Sequence, residues 1–437
     1  MNFKKLLAQS IIWRGFYFFS VLLVNVFLSR YLKAAGSGNL YFTTIIFSFT
    51  QVLLSLGFEA GITFFASGQI IQRNKLVILA GLWSIGAGIV MIVCTYVFFM
   101  LNKTVPEPDL WTFCLYSFLF VSGQALMNYL TAFYYTQENY FLPNFIMAIV
   151  NLGFVFIIPG KDAITTNIEI ERIIFLYFFV FLLSGILLFL SYILYNRKEG
   201  AIGFPVKKEV KQFLKYSLTA LAANVIFFLV YRVDYLFVNS SPVCTDADLG
   251  NYIQVSKLGQ MMLILPQIVA SVVFPRTASG IERERLNNSI MVIARLFSQL
   301  FLCAFIVVLF TGKYLFIKVF GPTFNNMQVP MLLIIPGIFS LSVLALLSAY
   351  FSGKGNLKVN VNGAILGLVV MIAGDFIFVP RYGIVAAAII STISYTVNLG
   401  FSLYIFYKDY DINVVDFFKW RRSDYFWIRS LLARKNN

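Results

Sequence analysis

Twelve apolar stretches, each long enough to cross a bilayer, take up most of the chain. They run over 10–29, 40–66, 76–101, 110–136, 141–159 and 173–195, and then over 216–238, 251–274, 290–310, 329–351, 359–379 and 384–407. A spanning helix needs about 20 apolar residues. Lipid offers the backbone no hydrogen-bond partner, so runs this apolar cross it as helices. The expected architecture is all-α: a polytopic membrane protein of about 12 transmembrane helices. A water-soluble fold is excluded, because only 12% of residues are charged, roughly half the usual fraction.

The basic residues orient these spans. Outside the spans, 22 Lys and Arg residues fall on the side of the N-terminus and 8 on the other. Both termini are therefore expected in the cytoplasm. The net charge of +15 is mostly this asymmetry, and no nucleic-acid partner is implied. Histidine is absent and the four cysteines have no paired spacing, so neither a metal site nor a cofactor is expected. The opening Lys4-Lys5 and apolar run resemble a signal peptide, but the run is long and lacks a small-residue cleavage site before Arg30. It reads as the first span.

A polar stretch at 196–215 separates two sets of six spans. The expected domains are a six-helix bundle over 1–195, a cytoplasmic amphipathic linker over 196–215, a second bundle over 216–407 and a basic-aromatic tail over 408–437. In the linker, Val210, Phe213 and Leu214 fall opposite Lys207, Lys208, Lys211 and Lys215, as in a helix lying at an interface. The tail mixes Phe417, Phe418, Trp420, Tyr425, Phe426 and Trp427 with Arg421, Arg422 and Arg429 and is expected to lie against anionic lipid. The halves echo each other weakly: Gly38-Asn39-Leu40-Tyr41 opens the second span and Gly250-Asn251-Tyr252 the eighth. Six helices per half preserve orientation, so the repeat is parallel, with a substrate path expected between the halves. Pro266 is expected to interrupt the eighth helix, Pro275 to end it, and Pro336-Gly337 to break the tenth.

Seven ionisable residues lie within the spans: Arg14, Glu59, Arg232, Asp234, Lys257, Arg295 and Asp375. A charge at the bilayer centre costs about 2.5–3.5 kcal/mol on insertion scales. Position along each helix puts Arg14, Glu59 and Arg295 in the inner half and Arg232, Asp234, Lys257 and Asp375 in the outer half. Each has a bland reading beside the functional one. Arg14 and Arg295 can snorkel to headgroups, Lys257 and Asp375 can be interfacial, and Glu59 can neutralise an arginine. Arg232 and Asp234 are two residues apart and cannot share a helix face, so each needs a partner on another helix, with Lys257 an option for Asp234. Four cations against three anions suit a phosphate or diphosphate group, because a guanidinium can fork onto two oxygens.

Several segments together resemble a Wzx-type oligosaccharide flippase of the multidrug/oligosaccharidyl-lipid/polysaccharide exporter superfamily. They are Leu56-Gly57-Phe58-Glu59-Ala60-Gly61-Ile62, Tyr231-Arg232-Val233-Asp234, Gly250-Asn251-Tyr252, Phe274-Pro275-Arg276, and Gly383-Ile384-Val385-Ala386-Ala387-Ala388 leading to Ser394-Tyr395. The resemblance spans about residues 5–410. It implies two six-helix bundles around a cationic cavity, and alternating-access transport of an undecaprenyl-diphosphate-linked oligosaccharide across a bacterial cytoplasmic membrane. The setting would be O-antigen or other polysaccharide biosynthesis, alongside polymerase machinery. Twelve spans look less like the lipid II flippase branch, which has two extra helices. Family transport couples to an ion gradient, with H+ and Na+ both open here.

The expected roles are substrate binding for Arg14, Arg232, Lys257 and Arg295, and charge balance or ion coupling for Glu59, Asp234 and Asp375. One rival is a multidrug exporter of the same fold, which would favour acidic, aromatic pockets. Another is a membrane polysaccharide polymerase or ligase. The short outer loops, with no acid in 30–39, speak against that enzyme.

Overall fold

The computed structural model describes residues 3–410 apart from 69, 105, 107, 108, 160–165, 197–202 and 279–282, together with 417, 419–421 and 424. The described residues form helices and no strand. Contacts divide the chain into two compact units, Met1–Phe228 and Leu229–Asn437. In the first lie α1 (Phe3–Leu54), α2 (Phe58–Ser67), α3 (Arg73–Asn102), α4 (Leu110–Thr136), α5 (Phe141–Ile157), α6 (Asn167–Tyr195) and most of α7 (Lys207–Arg232). The second holds the end of α7, then α8 (Asp234–Ser240), α9 (Asp246–Met262), α10 (Ile264–Ala278), α11 (Arg283–Phe320), α12 (Gln328–Gly353) and α13 (Leu357–Tyr410).

Two of these helices are each two spans joined at a single residue. Lys33 (φ 61°) divides α1 and Gly383 (φ 57°) divides α13. The Tyr41 hydroxyl reaches the Asn25 carbonyl at 3.5 Å, although 16 residues of straight helix would separate them by about 24 Å. Likewise the Ser394 hydroxyl donates to the Gly367 carbonyl at 2.7 Å. Each joint therefore turns the chain back on itself. Gly383 takes its left-handed conformation without a Cβ penalty, and Lys33 adopts it as a non-glycine residue, which is uncommon. With these turns counted, the helices cover all twelve apolar stretches.

The division between the units falls inside α7, not within 196–215. The amphipathic stretch and the seventh span are one continuous helix, and its inner part packs on α2. Phe213 is buried against Phe58, with ring centroids 4.9 Å apart, and Lys75 pairs with Glu209 at 3.7 Å. Lys207, Lys208, Lys211 and Lys215 are exposed, as the amphipathic pattern requires. The apolar face thus meets protein. Gly57 makes this approach possible: its φ is 71°, and a Cβ there would meet the Ser217 carbonyl. The glycines flanking Glu59 serve packing.

Within the first unit α4 is central, packed between α3 and α6; in the second, α12 packs on α10, α11 and α13. Pro266 interrupts the eighth span as expected, whereas Pro275 and Pro336 act differently from expectation. Pro266 lies four residues after Met262, where α9 ends; its ring displaces that carbonyl and it has no N–H to offer. Pro275 does not end the eighth span, because α10 continues to Ala278. Pro336 leaves α12 unbroken, and Gly337 next to it admits α13, since a Cβ there would lie 2.8 Å from the Thr392 Cα.

Two capping boxes fix helix starts, Thr166 with Glu169 and Thr245 with Asp248. Thr245→Ala is expected to cost about 1 kcal/mol, read as a lower thermal midpoint in detergent, and Thr245→Ser to restore it. An unchanged midpoint for Thr245→Ala would show the cap contributes nothing.

The tail does not simply lie on lipid. Phe417 is buried against Phe406, with centroids 5.7 Å apart, and Trp420 Nε1 donates to Ser298 Oγ at 2.7 Å. Phe418, Arg422, Tyr425, Phe426, Trp427 and Arg429, and the side chains of Phe274, Pro275 and Arg276, lie outside the described residues.

Candidate functional site

In the first unit, four helices converge on a cavity of about 180 Å³. Arg14 and Tyr17 come from α1, Glu59 from α2, Gln124, Asn128 and Tyr135 from α4, and Asn144 from α5. The α4 residues share a face because Gln124, Asn128, Thr131 and Tyr135 are spaced at four, three and four positions. Gln124 Nε2 donates to Asn128 Oδ1 at 2.9 Å. Asn144 Nδ2 donates to the Tyr135 hydroxyl at 3.0 Å and to the Tyr140 carbonyl at 2.7 Å, which fixes the Tyr135 ring. The Arg14 guanidinium stands 5.7 Å from the centre of that ring.

Arg14 and Glu59 line the same cavity. Among the described residues neither side chain makes an ion pair or a hydrogen bond. Glu59 therefore forms no ion pair with an arginine among the described residues, and Arg14 sits within an apolar span with its guanidinium beside an aromatic ring.

The second unit gathers the outer-half residues. The helical hydrogen bonding is interrupted at Val233, between Arg232 ending α7 and Asp234 opening α8. Arg232 donates to Gln260 Oε1 at 2.6 Å and to the Tyr235 hydroxyl at 3.2 Å. Asp234 accepts from the Tyr252 hydroxyl at 2.6 Å, Ser391 Oγ at 3.2 Å and the Tyr235 backbone N–H at 3.0 Å. Their partners on α9 are eight residues apart, about 12 Å along its axis, so the two side chains reach different depths. Asp234 is 1% exposed, and hydroxyls meet its carboxylate where the sequence offered Lys257. Lys257 is half-buried on α9.

Asp375 is not interfacial; it is 0% exposed. Neither of its carboxylate oxygens has a hydrogen-bond partner among the described residues. It lies near Asp234 and Tyr252. Two acids, a tyrosine hydroxyl and a serine hydroxyl from α8, α9 and α13 thus form one oxygen-rich cluster.

Arg295 stands apart from both groups. Its Nε and Nη2 grip Asp424 at 2.8 and 2.7 Å, with the two side chains 5% and 1% exposed. The guanidinium expected to receive a diphosphate is already forked onto a carboxylate of the tail. Sequence reasoning passed over Gln124, Asn128, Tyr135 and Asn144, although the polar spacing on α4 is a readable signal. It also passed over Tyr252, Ser391 and Asp424 as partners, for which no local signal exists.

No family model matches the chain, and no curated protein matches it. Solved structures do. The lipid II flippase MurJ in an inward closed conformation superposes with a TM-score of 0.69 at 15% identity, covering 93% of this chain and 89% of that one. An inward-facing multidrug resistance MATE family transporter of the MOP superfamily gives 0.66 at 12% identity, covering 88% and 92%. A point mutant of the Vibrio cholerae MATE transporter VcmN gives 0.66 at 13% identity, covering 95% and 99%. This chain is a multi-pass membrane protein with the fold that MurJ and the MATE transporters share.

Proposed function

We propose that the protein is a flippase that moves an undecaprenyl-diphosphate-linked oligosaccharide across the bacterial cytoplasmic membrane by alternating access, with both termini cytoplasmic. The observation that carries this reading is the Arg14 guanidinium. It sits in a polar cavity within an apolar span, and among the described residues no carboxylate pairs with it. Such a group is costly in a membrane unless a ligand compensates it, and a diphosphate supplies oxygens matching its fork. Arg232 has guanidinium donors beyond the two hydrogen bonds it makes and, with Lys257, is proposed as the phosphate contact of the second unit at a later stage of transport. The likeness to MurJ, named a lipid II flippase, supports a lipid-linked substrate.

Coupling is assigned to Asp234 and Asp375. A bound Na+ would find hard oxygen ligands there in the two carboxylates, Tyr252 and Ser391, and a proton would neutralise Asp375 directly. The polysaccharide setting and its polymerase machinery belong to the same proposal.

Leaflet-resolved labelling of lipid-linked oligosaccharide tests the reading. Arg14→Gln, at normal expression, is expected to reduce outer-leaflet exposure roughly tenfold or more, and Arg14→Lys to retain part of it. Wild-type exposure in Arg14→Gln would remove Arg14 from the mechanism. A second reading, multidrug export, is favoured by Glu59 in the same cavity and by the fold it shares with MATE transporters. It requires that the protein lower cellular accumulation of a lipophilic cation while lipid-linked precursor is unaffected.

A further inference from the structure

We propose that the first unit's polar cavity is a saccharide-reading subsite, in which Glu59, Gln124 and Asn128 bind the hydroxyl or acetamido groups of the sugar joined to the diphosphate. This rests on the flippase reading and adds to it where specificity resides. The cavity holds opposite charges that do not pair: Arg14 and Glu59 both line it, without an ion pair between them. A cationic ligand attracted by Glu59 is repelled by Arg14, and a free anion meets the reverse conflict. A neutral polyhydroxylated ring with an anionic group at one end satisfies both, its hydroxyls donating to Glu59 and its phosphate facing Arg14.

The amides supply the remaining complementarity. The hydrogen bond between Gln124 and Asn128 uses one donor and one acceptor. It leaves the Gln124 carbonyl and the Asn128 amino group with further hydrogen-bonding capacity. Along this face of α4 the cavity thus presents an acceptor and a donor one helical turn apart, a pattern suited to vicinal ring substituents. Asn144 is a positioning residue: its amide is committed to Tyr135 and Tyr140, so it holds the aromatic wall on which the apolar face of a sugar can rest. The cavity volume is about 180 Å³. The unit proposed to be read there is the first sugar, with the rest of the glycan outside the cavity.

The test uses the full-length protein in nanodiscs and measures binding of polyprenyl diphosphate, bare or bearing N-acetylglucosamine, glucose or galactose. Wild-type protein is expected to bind the best of the three glycosylated probes about tenfold more tightly than the bare lipid, the worth of one or two hydrogen bonds. Gln124→Leu and Asn128→Leu are each expected to bring that ratio toward one and leave bare-lipid affinity and thermal midpoint unchanged. Arg14→Gln weakens all probes alike. If wild-type protein binds bare and glycosylated lipid equally, or both leucine variants fold and keep the preference, the saccharide subsite is overturned and the flippase reading stands. Failure of every probe to bind wild-type protein overturns both.

Discussion

Arg295→Ala is expected to destabilise the second unit by about 3–5 kcal/mol, the usual cost of stranding one member of a buried ion pair. Both partners are almost wholly buried, the geometry is bidentate, and the Arg421 backbone N–H adds a third hydrogen bond to Asp424 at 3.1 Å. Replacing the pair together, as Arg295→Met with Asp424→Leu, removes both charges and is expected to recover most of the loss, because well-packed apolar replacements of buried pairs are often neutral. Unfolding midpoints in detergent and protease cleavage of the tail give the readout. A midpoint unmoved by Arg295→Ala would refute the tether. Transport in the double variant separates roles: near-normal transport shows that Arg295 serves structure alone.

The same pair gives a pH dependence. Burial raises the Asp424 carboxyl, but hydrogen bonds from Arg295 and the Arg421 backbone, together with the Arg295 charge, outweigh it and hold the group below its ordinary value. A depressed carboxyl contributes stability that is present above the unfolded value of about 3.9 and lost as pH falls through the lower folded value. The tail is therefore expected to release only in acid below about pH 4.

Asp375→Asn is expected to split stability from function. An ionised carboxylate buried without a hydrogen bond costs several kcal/mol, and both oxygens of Asp375 lack a partner among the described residues. Asparagine keeps the shape and removes the charge, so the thermal midpoint should hold or rise. Gradient-driven translocation should fall roughly tenfold or more, the effect of about 1.4 kcal/mol on a rate. Asp234 differs, because its oxygens hold Tyr252, Ser391 and the Tyr235 backbone. Asp234→Ala should lower both stability and transport. Translocation in proteoliposomes with imposed Na+ or H+ gradients measures this. If Asp375→Asn keeps full gradient dependence, the coupling assignment is wrong.

The short repeat shows how far a sequence signal reaches. Tyr41 and Tyr252 stand in matching Gly-Asn motifs, and both are fully buried. Each hydroxyl reaches back to a preceding helix, Tyr41 to Asn25 and Ser29, Tyr252 to Asp234. The match was legible because the same local job recurs at the start of the second helix in each half. The bond made by each tyrosine was not, because its partner is chosen by helix packing.

Apolar run length determined by itself that this chain is helical and crosses a membrane, because lipid leaves the backbone no other way to satisfy its hydrogen bonds. The same reasoning located the spans and picked out the seven ionisable residues within them. Their assignments were decided only by tertiary structure. Arg14 and Arg295 sit at similar depth on their helices and read alike. One lines a polar cavity and the other is closed onto Asp424, 129 residues away. Asp375 reads as a helix-end residue, yet the packing of the second unit seals it. Distance along a helix gives depth, whereas the direction of a side chain and the group it meets depend on which helices pack beside it. Those pairings arise between residues far apart in the chain, where no periodicity or spacing records them.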